Sequence, residues 1–253
     1  AVLFLLLGIG TDAKADNDKG FSSNDSSEEG SSNMSQCRNN KGLFTCPKSS
    51  KNRDAHIFGG AVAIANRGAG SFSLVDPDTL ETLIEQQLPD GGMPMYFALS
   101  PSKSEIWVGD RANNRHVVYR MVGCELKLDG FVDTPAGLFH TIITQVGAEK
   151  YPIAIAACDI DKVIVAHDVT TRRLLGTMEM PQQAVDADAK PHDVTFNGDH
   201  VFVGFLGTAA GGPGFVASYD IKDFSLKAVI ETETDPHVSI RDDSYLFIGA
   251  RSP

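Results

Sequence analysis

The sequence predicts an all-β fold, a β-propeller of four-stranded antiparallel blades with about four to five blades present and the ring incomplete. Three observations lead to this prediction. Short runs of apolar residues alternate with Gly, Asp, Asn and Pro from residue 61 onward. No stretch keeps the 3.6-residue apolar period of a helix, and the pattern repeats along the chain. The 253 residues are also enough to bury a large core.

The clearest repeated unit is a strand, a turn centred on an aspartate, and a second strand. It occurs at residues 72–85, 163–177 and 216–230, and in a looser form at 116–132. An aspartate side chain can accept a hydrogen bond from the backbone two residues further on, which suits a tight turn. We therefore expect each unit to be an antiparallel pair joined by a short hairpin.

A second pair of strands follows each of these units and begins near a proline. The prolines are Pro94, Pro135, Pro191 and Pro236, spaced by 41, 56 and 45 residues. Four strands per roughly 40 to 50 residues is the size of a propeller blade. The longest interval indicates an insertion at residues 182–190. A β-sandwich is the rival fold, but it does not require four-stranded units in register.

Several segments resemble the YVTN-type repeat. They are residues 74–81 (LVDPDTLE), 99–108 (LSPSKSEIWV) and 191–196 (PHDVTF). That family is similar to the propellers of quinoprotein amine dehydrogenase heavy chains and cytochrome cd1 nitrite reductases. The resemblance covers about residues 59–250, and it implies the fold more than a function because the repeat is mostly turn and core chemistry. The family's Tyr-Val-Thr-Asn tetrapeptide is replaced by IWVG at 106–109, VFVG at 201–204 and LFIG at 246–249.

The N-terminal segment predicts an exported protein, secreted or periplasmic. Residues 1–15 hold an apolar run too short to span a bilayer, followed by a small-x-small pattern at Ala13 and Ala15. This is the pattern of a signal peptide whose first part is missing. Residues 16–55 are rich in Ser, Asn and Asp and predict a disordered linker. Residues 56–253 are assigned to the propeller, which we expect to be a fragment of a larger ring.

The four cysteines divide between the linker and the predicted strands. Cys37 and Cys46 lie in the linker and could form a disulfide if the protein is exported. Cys124 and Cys158 lie on predicted strands, where buried free thiols are the usual state, although export leaves open a disulfide between neighbouring blades. No Cys-x-x-Cys pair is present, so a cysteine-based metal site is not expected.

The formal net charge of −11 excludes one class of partner. An acidic surface repels phosphate backbones, so no nucleic acid is expected to bind. The same charge argues against docking on an anionic membrane, and no membrane span is predicted. A protein, a glycan or a small molecule bound on one face of the propeller remains as the expected partner.

Three histidines recur at the start of predicted innermost strands. They are His140, His192 and His237, and Asp193 and Asp235 stand beside two of them. Side chains at this position of successive blades converge near the central channel, so these five residues are the candidate ligand-binding set. The imidazoles could hold a transition metal, Cu or Zn, with the carboxylates orienting them, or act in acid–base chemistry. The alternative is a structural role in which each imidazole binds a neighbouring loop.

The remaining histidines are expected to have no functional part. His116 is predicted in a loop, and His167 and His200 on outer strands or in hairpin turns, at the surface or with their hydrogen bonds satisfied.

Three functions stay open, and whether the protein is an enzyme is undecided. The first is a binding or interaction scaffold that uses the channel face, favoured because no strong catalytic motif occurs. The second is a metal- or cofactor-dependent oxidoreductase of the quinoprotein type that uses the channel histidines. Covalent haem is not encoded, since no Cys-x-x-Cys-His motif is present. The third and weakest is a lactonase-type hydrolase, a role known for propellers of similar repeat.

Overall fold

A computed structural model describes residues 61–122, 125–147, 151–208, 210–240 and 246–251. The signal segment 1–15, the linker 16–55 and the residues Cys37, Cys46 and Cys124 lie outside the described residues. None of the helices in the described ranges is long and apolar enough to cross a membrane. Cys158 is a buried free thiol, as expected, and burial raises the pKa of this thiol to about 12.

The described residues form five antiparallel sheets, and in each sheet the strands follow chain order. The first sheet contains β1 (Val62–Asn66), β2 (Ser71–Val75) and β3 (Thr82–Gln87). The second contains β4 (Pro94–Leu99), β5 (Glu105–Asp110), β6 (Arg115–Val122) and β7 (Glu125–Asp133). The third contains β8 (Leu138–Val146), β9 (Tyr151–Cys158), β10 (Val163–Asp168) and β11 (Leu174–Met178). The fourth contains β12 (Lys190–Asn197), β13 (His200–Leu206), β14 (Gly214–Asp220) and β15 (Leu226–Thr232), and the fifth β16 (Asp235–Ile240) and β17 (Leu246–Arg251).

The sheets are the blades of an incomplete β-propeller. Each of the last four sheets begins with one strand, namely β4, β8, β12 or β16. Strand β4 packs on β8, β8 on β12, and β12 on β16. They are therefore the innermost strands, and the prediction of four-stranded blades is confirmed. In the first sheet, β2 and β3 match the third and fourth strands of the later blades. The innermost strand expected for that blade, near residues 56–58, lies outside the described residues.

The hydrophobic core is divided into layers between neighbouring blades. Between the first and second blades, the ring of Phe72 lies 5.7 Å from that of Phe97 and 5.4 Å from that of Tyr119. Trp107 is fully buried in the next layer. Each such side chain contributes roughly 1.5–3 kcal/mol by leaving water. Because each layer needs two blades, a single blade cannot be stable alone.

The aspartate-centred turns predicted from the sequence are confirmed. The side chains of Asp76, Asp168 and Asp220 each accept a hydrogen bond from the backbone two residues further on. The donors are the N–H groups of Asp78 at 2.8 Å, Thr170 at 2.7 Å and Lys222 at 2.9 Å. These bonds fix the hairpin between the third and fourth strands of three blades.

The same turns place a residue with left-handed backbone four positions after the aspartate. Leu80, Arg172 and Phe224 have φ angles of 59°, 61° and 60°. Two of their side chains reach the preceding blade. Arg172 donates from Nη1 to the carbonyl of Asp129 at 2.8 Å. The ring of Phe224 packs on Gly176 so closely that a Cβ added to this glycine would lie 3.0 Å from the ring. Leu80, in the first described blade, is 77% exposed.

The insertion predicted at residues 182–190 contains a short helix, α1 (Gln182–Asp186). Ala184 and Ala189 are fully buried in the layer between the third and fourth blades. Two single 3-10 turns, at Arg67–Ala69 and Pro89–Gly91, complete the helical elements of the described residues. The extra length between β11 and β12 is therefore used to close one end of a core layer.

The loop position predicted for His116 is wrong, whereas His167 lies on an outer strand as predicted, but neither histidine is at the surface. His116 lies on β6 with no exposed surface, and His167 lies on β10 and is 4% exposed. The Nε2 atom of His116 is 2.8 Å from Oγ1 of Thr141 on β8, which joins the second and third blades. The Nδ1 atoms of both histidines are buried without a hydrogen-bond partner among the described residues. Burial, with a smaller effect of His167, lowers the pKa of His116 to about 3, and burial also lowers the pKa of His167.

Candidate functional site

The five site residues predicted from the sequence lie on three consecutive innermost strands. His140 is on β8, His192 and Asp193 are on β12, and Asp235 and His237 are on β16. Because β8 packs on β12 and β12 on β16, the side chains approach one another. The nearest approach is among His192, Asp193 and His237, whose possible ligand atoms all lie within 4.8 Å of one another.

A β-bulge interrupts three innermost strands at the same place. The pairing with the second strand shifts between Pro94 and Phe97 on β4, between Leu138 and Thr141 on β8, and between Pro191 and Val194 on β12. A bulge releases residues from the ladder and changes the direction of their side chains. The released residues are Met95, Tyr96, Phe139, His140, His192 and Asp193. The pairing of β16 with β17 has no such shift.

Most of the released residues form a row of rings across the innermost strands. The ring of Tyr96 lies 4.2 Å from that of His140, and the ring of Phe139 lies 4.2 Å from that of His192, in both cases at about 35°. The ring of His192 meets that of His237 edge to face at 5.5 Å. We call Tyr96, Phe139, His140, His192, Asp193 and His237 the inner-strand cluster.

Asp193 is the charged centre of the inner-strand cluster. Its side chain is 9% exposed, and its Oδ2 lies 2.7 Å from Nδ1 of His237. Its Oδ1 lies 3.0 Å from Nδ1 of His192 and 3.6 Å from Nδ1 of His140. Burial opposes ionisation, but His140 and His192 outweigh it and hold the pKa of Asp193 well below its usual range. The group is therefore a carboxylate with imidazoles on three sides.

The three histidines are held differently. Nδ1 of His140 accepts the backbone N–H of Val194 at 2.9 Å, a bond to the neighbouring innermost strand β12 and not to a loop. Nδ1 of His192 is buried and has no hydrogen-bond partner among the described residues, although Asp193 is near. His237 is 47% exposed, and its Nε2 lies 3.2 Å from Oδ1 of Asp235. His237 is the histidine of the three that a ligand reaches most easily.

Sequence analysis missed Tyr96 and Phe139 as members of the cluster. The signal was present, because Tyr96 stands close after Pro94 as His192 and His237 stand after Pro191 and Pro236. Burial, and next the charge of Asp193, raise the pKa of the Tyr96 phenol, so this group stays neutral. Tyr96 and Phe139 add apolar ring faces beside the charged centre.

The cluster combines two kinds of chemistry in one place. The ring faces of Tyr96 and Phe139 can pack against a flat or apolar group. The carboxylate of Asp193 and the imidazoles of His192 and His237 can bind a cation or exchange a proton with a ligand.

No family model and no curated protein matches the sequence. Among solved structures, the chain is similar to the propeller domain of Cps50 (Swd1) from Myceliophteria thermophila, with 13% identity and a TM-score of 0.59 over 82% of this chain and 65% of that one. It is also similar to a candidate 6-phosphogluconolactonase from Bacteroides uniformis, with 16% identity and a TM-score of 0.57 over 78% and 62%. A third is hydrazine synthase from Kuenenia stuttgartiensis, with 13% identity and a TM-score of 0.57 over 76% and 54%.

These similarities establish the fold class, a β-propeller, and no more than the fold. The chain spans less than two thirds of the length of each of these three structures. At such identities, the activities named for the neighbours do not transfer to this chain.

Proposed function

We propose that this protein is an exported propeller of the YVTN type that acts as a binding scaffold, with the inner-strand cluster as its ligand site. The observation that carries the proposal is the set of three bulges at one position of β4, β8 and β12. A bulge weakens the strand pairing that stabilises a sheet, so its repetition beside one cluster favours a function there.

The chemistry of the cluster favours a small ligand or a single inserted group over a broad protein surface. His192 and His140 are 12% and 21% exposed, so they offer narrow access. Arg111 lies 5.7 Å from the centre of the Phe139 ring and adds a cation at the margin. A ligand with an apolar face and a polar or cationic group fits these features best, and a glycan or a protein side chain is included in that class.

A hydrolase is the second candidate. Asp193 and the half-exposed His237 form a carboxylate–imidazole pair at 2.7 Å, the arrangement that activates water in general base catalysis. The similarity to a candidate 6-phosphogluconolactonase supports the hydrolase hypothesis. Hydrolysis of a lactone by the purified chain would favour a hydrolase over a binding scaffold.

The binding proposal predicts a specific effect of Phe139→Leu. Ligands are first found by thermal shift with a panel of small molecules and sugars. Leucine keeps an apolar side chain but removes the ring that contacts His192, so the Kd of a cluster ligand should rise about tenfold, the size expected for one lost ring contact. Isothermal titration calorimetry measures this change.

The matched control is Phe196→Leu, an exposed phenylalanine on β12 outside the cluster. This variant should bind the ligand as the unmodified chain does. A ligand that binds equally to Phe139→Leu and to the unmodified chain would place the binding site elsewhere and contradict the proposal.

A further inference from the structure

The region around His237 has an excess of acceptor atoms. Its Nδ1 lies 2.7 Å from Asp193, and its Nε2 lies 3.2 Å from Asp235. A neutral imidazole carries a single N–H and can satisfy only one of these two carboxylates. If Nε2–H donates to Asp235, the lone pair of Nδ1 faces a carboxylate oxygen. A positive charge between these two atoms resolves the conflict, and it can be a proton or a metal ion.

Nδ1 of His192 faces the same carboxylate and has no hydrogen-bond partner in the part of the chain that the structure describes. Its Nδ1 is 3.0 Å from Oδ1 of Asp193, yet the direction of the ring does not make a hydrogen bond, and the atom is buried. Nδ1 of His192 and Nδ1 of His237 thus lie 3.0 Å and 2.7 Å from the carboxylate of Asp193, and possible ligand atoms of the three residues all lie within 4.8 Å of one another. Leaving such a nitrogen buried without a partner destabilises the folded state, and a bound ion would remove that cost.

We propose that His192, Asp193 and His237 bind a divalent transition metal ion, with Zn²⁺ as the probe. Two imidazoles and a carboxylate form a donor set that suits zinc or copper and disfavours Mg²⁺ and Ca²⁺, which prefer oxygen ligands. Three protein ligands leave a coordination position for water or for a ligand. The site rests on the proposed function, because it names the ion through which the inner-strand cluster holds part of its ligand.

Two neighbouring residues have defined supporting parts. Asp235 accepts the Nε2–H of His237, which directs the lone pair of Nδ1 to the metal, as carboxylates behind ligating histidines do. His140 is outside the ligand set, because its Nδ1 accepts the N–H of Val194 and the residues whose possible ligand atoms lie within 4.8 Å of one another are His192, Asp193 and His237. The ligand set differs in this respect from the three histidines predicted from the sequence, with Asp193 replacing His140.

The test is metal binding by the full chain after removal of metals with a chelator. Calorimetric titration with Zn²⁺ should give one equivalent per chain, and Co²⁺ should give visible absorption bands of a nitrogen- and oxygen-ligated ion. His237→Gln and Asp193→Asn should each raise the Kd at least tenfold. Asp235→Asn should raise it about tenfold, as for other outer-shell carboxylates.

Controls separate this inference from the proposed function. His200→Gln removes an exposed histidine of β13 and should bind Zn²⁺ as the unmodified chain does. If Asp193→Asn does not fold, as judged by circular dichroism, half-exposed His237→Gln decides the result. Failure of the unmodified chain to bind one equivalent, or unchanged affinity in His237→Gln, overturns the metal site.

The two proposals can fail independently. Phe139→Leu tests the scaffold through the affinity for the organic ligand alone, and His237→Gln tests the metal site through the affinity for Zn²⁺ alone. If Zn²⁺ does not bind but Phe139→Leu still weakens that ligand, the metal inference fails and the scaffold stands. If Zn²⁺ binds and no organic ligand responds to Phe139→Leu, the proposed function fails and the metal site stands.

Discussion

Gly137→Ala should destabilise the protein by about 3 kcal/mol or more, a large effect for a single added methyl group. Gly137 precedes β8 with a φ of +85°, where an alanine is strained. A Cβ would lie 2.3 Å from Oδ1 of Asp159 and 2.4 Å from the backbone nitrogen of Ile160. The backbone neighbour cannot rotate away, so β8 must shift. Urea unfolding should show a lower midpoint with little change in slope.

The control is Gly147→Ala, at the other end of β8. Its φ is +72°, but none of the described residues has an atom within 4 Å of its Cβ position, apart from its chain neighbours. It therefore measures the cost of the backbone conformation alone, about 1 kcal/mol. The difference between the two variants isolates the contact of Gly137 with the turn of the β9–β10 hairpin. Equal losses of stability in both would contradict the close packing seen at Gly137.

Stability should fall as the pH is lowered from 6.5 towards 5, by about 2 kcal/mol from His116 alone. In the folded protein the pKa of His116 is about 3, whereas in the unfolded chain it is near 6.5. Between these values the unfolded state binds a proton that the folded state does not. The contribution of His116 to the free energy of unfolding is therefore fully present above pH 6.5. Below that pH the contribution decreases by about 1.4 kcal/mol per pH unit.

His116→Gln should remove most of this dependence. The glutamine amide can still bond the hydroxyl of Thr141, but it has no proton to gain. His167 remains and keeps a smaller slope of the same sign, since burial lowers its pKa also. Urea unfolding at pH 7 and pH 5 measures the change, with exposed His200→Gln as the control that should retain the original slope. A slope in His116→Gln equal to that of the unmodified chain would show that this buried imidazole is not the group that titrates.

The repeat of the fold could be predicted from sequence because its signal is local. Asp76, Asp168 and Asp220 each bond their own turn, and this chemistry is visible in a short window of residues. The insertion before β12 was located from the spacing of two prolines. Its helical form was not, because a five-residue helix shows too little of a 3.6-residue period.

The burial of His116 could not be predicted because it depends on contacts between blades. Strand β6 is covered on both faces, so its residues do not alternate between apolar and polar. A histidine at the start of such a strand looks like a surface residue in a single sequence. Only Thr141, 25 positions away, shows that the imidazole bridges two blades.

The candidate site was predictable only in part, because the repeated position of its histidines is visible in the sequence and the strand register around them is not. His140, His192 and His237 share a position in the repeat, and that position was visible. The bulges that turn Tyr96, Phe139 and Asp193 together depend on strand register, which a sequence does not specify by itself. The role of Asp193 as the central charge follows from those bulges.

The left-handed turn residues give the assembly of the propeller a direction. Arg172 and Phe224 both attach to the blade synthesised before their own. Each of these two contacts can therefore form as soon as the later blade of the pair has been synthesised. Addition of one blade at a time limits the exposed apolar surface of the growing chain to the face of a single blade. In the first described blade, Leu80 stands at the same position, and its side chain is 77% exposed.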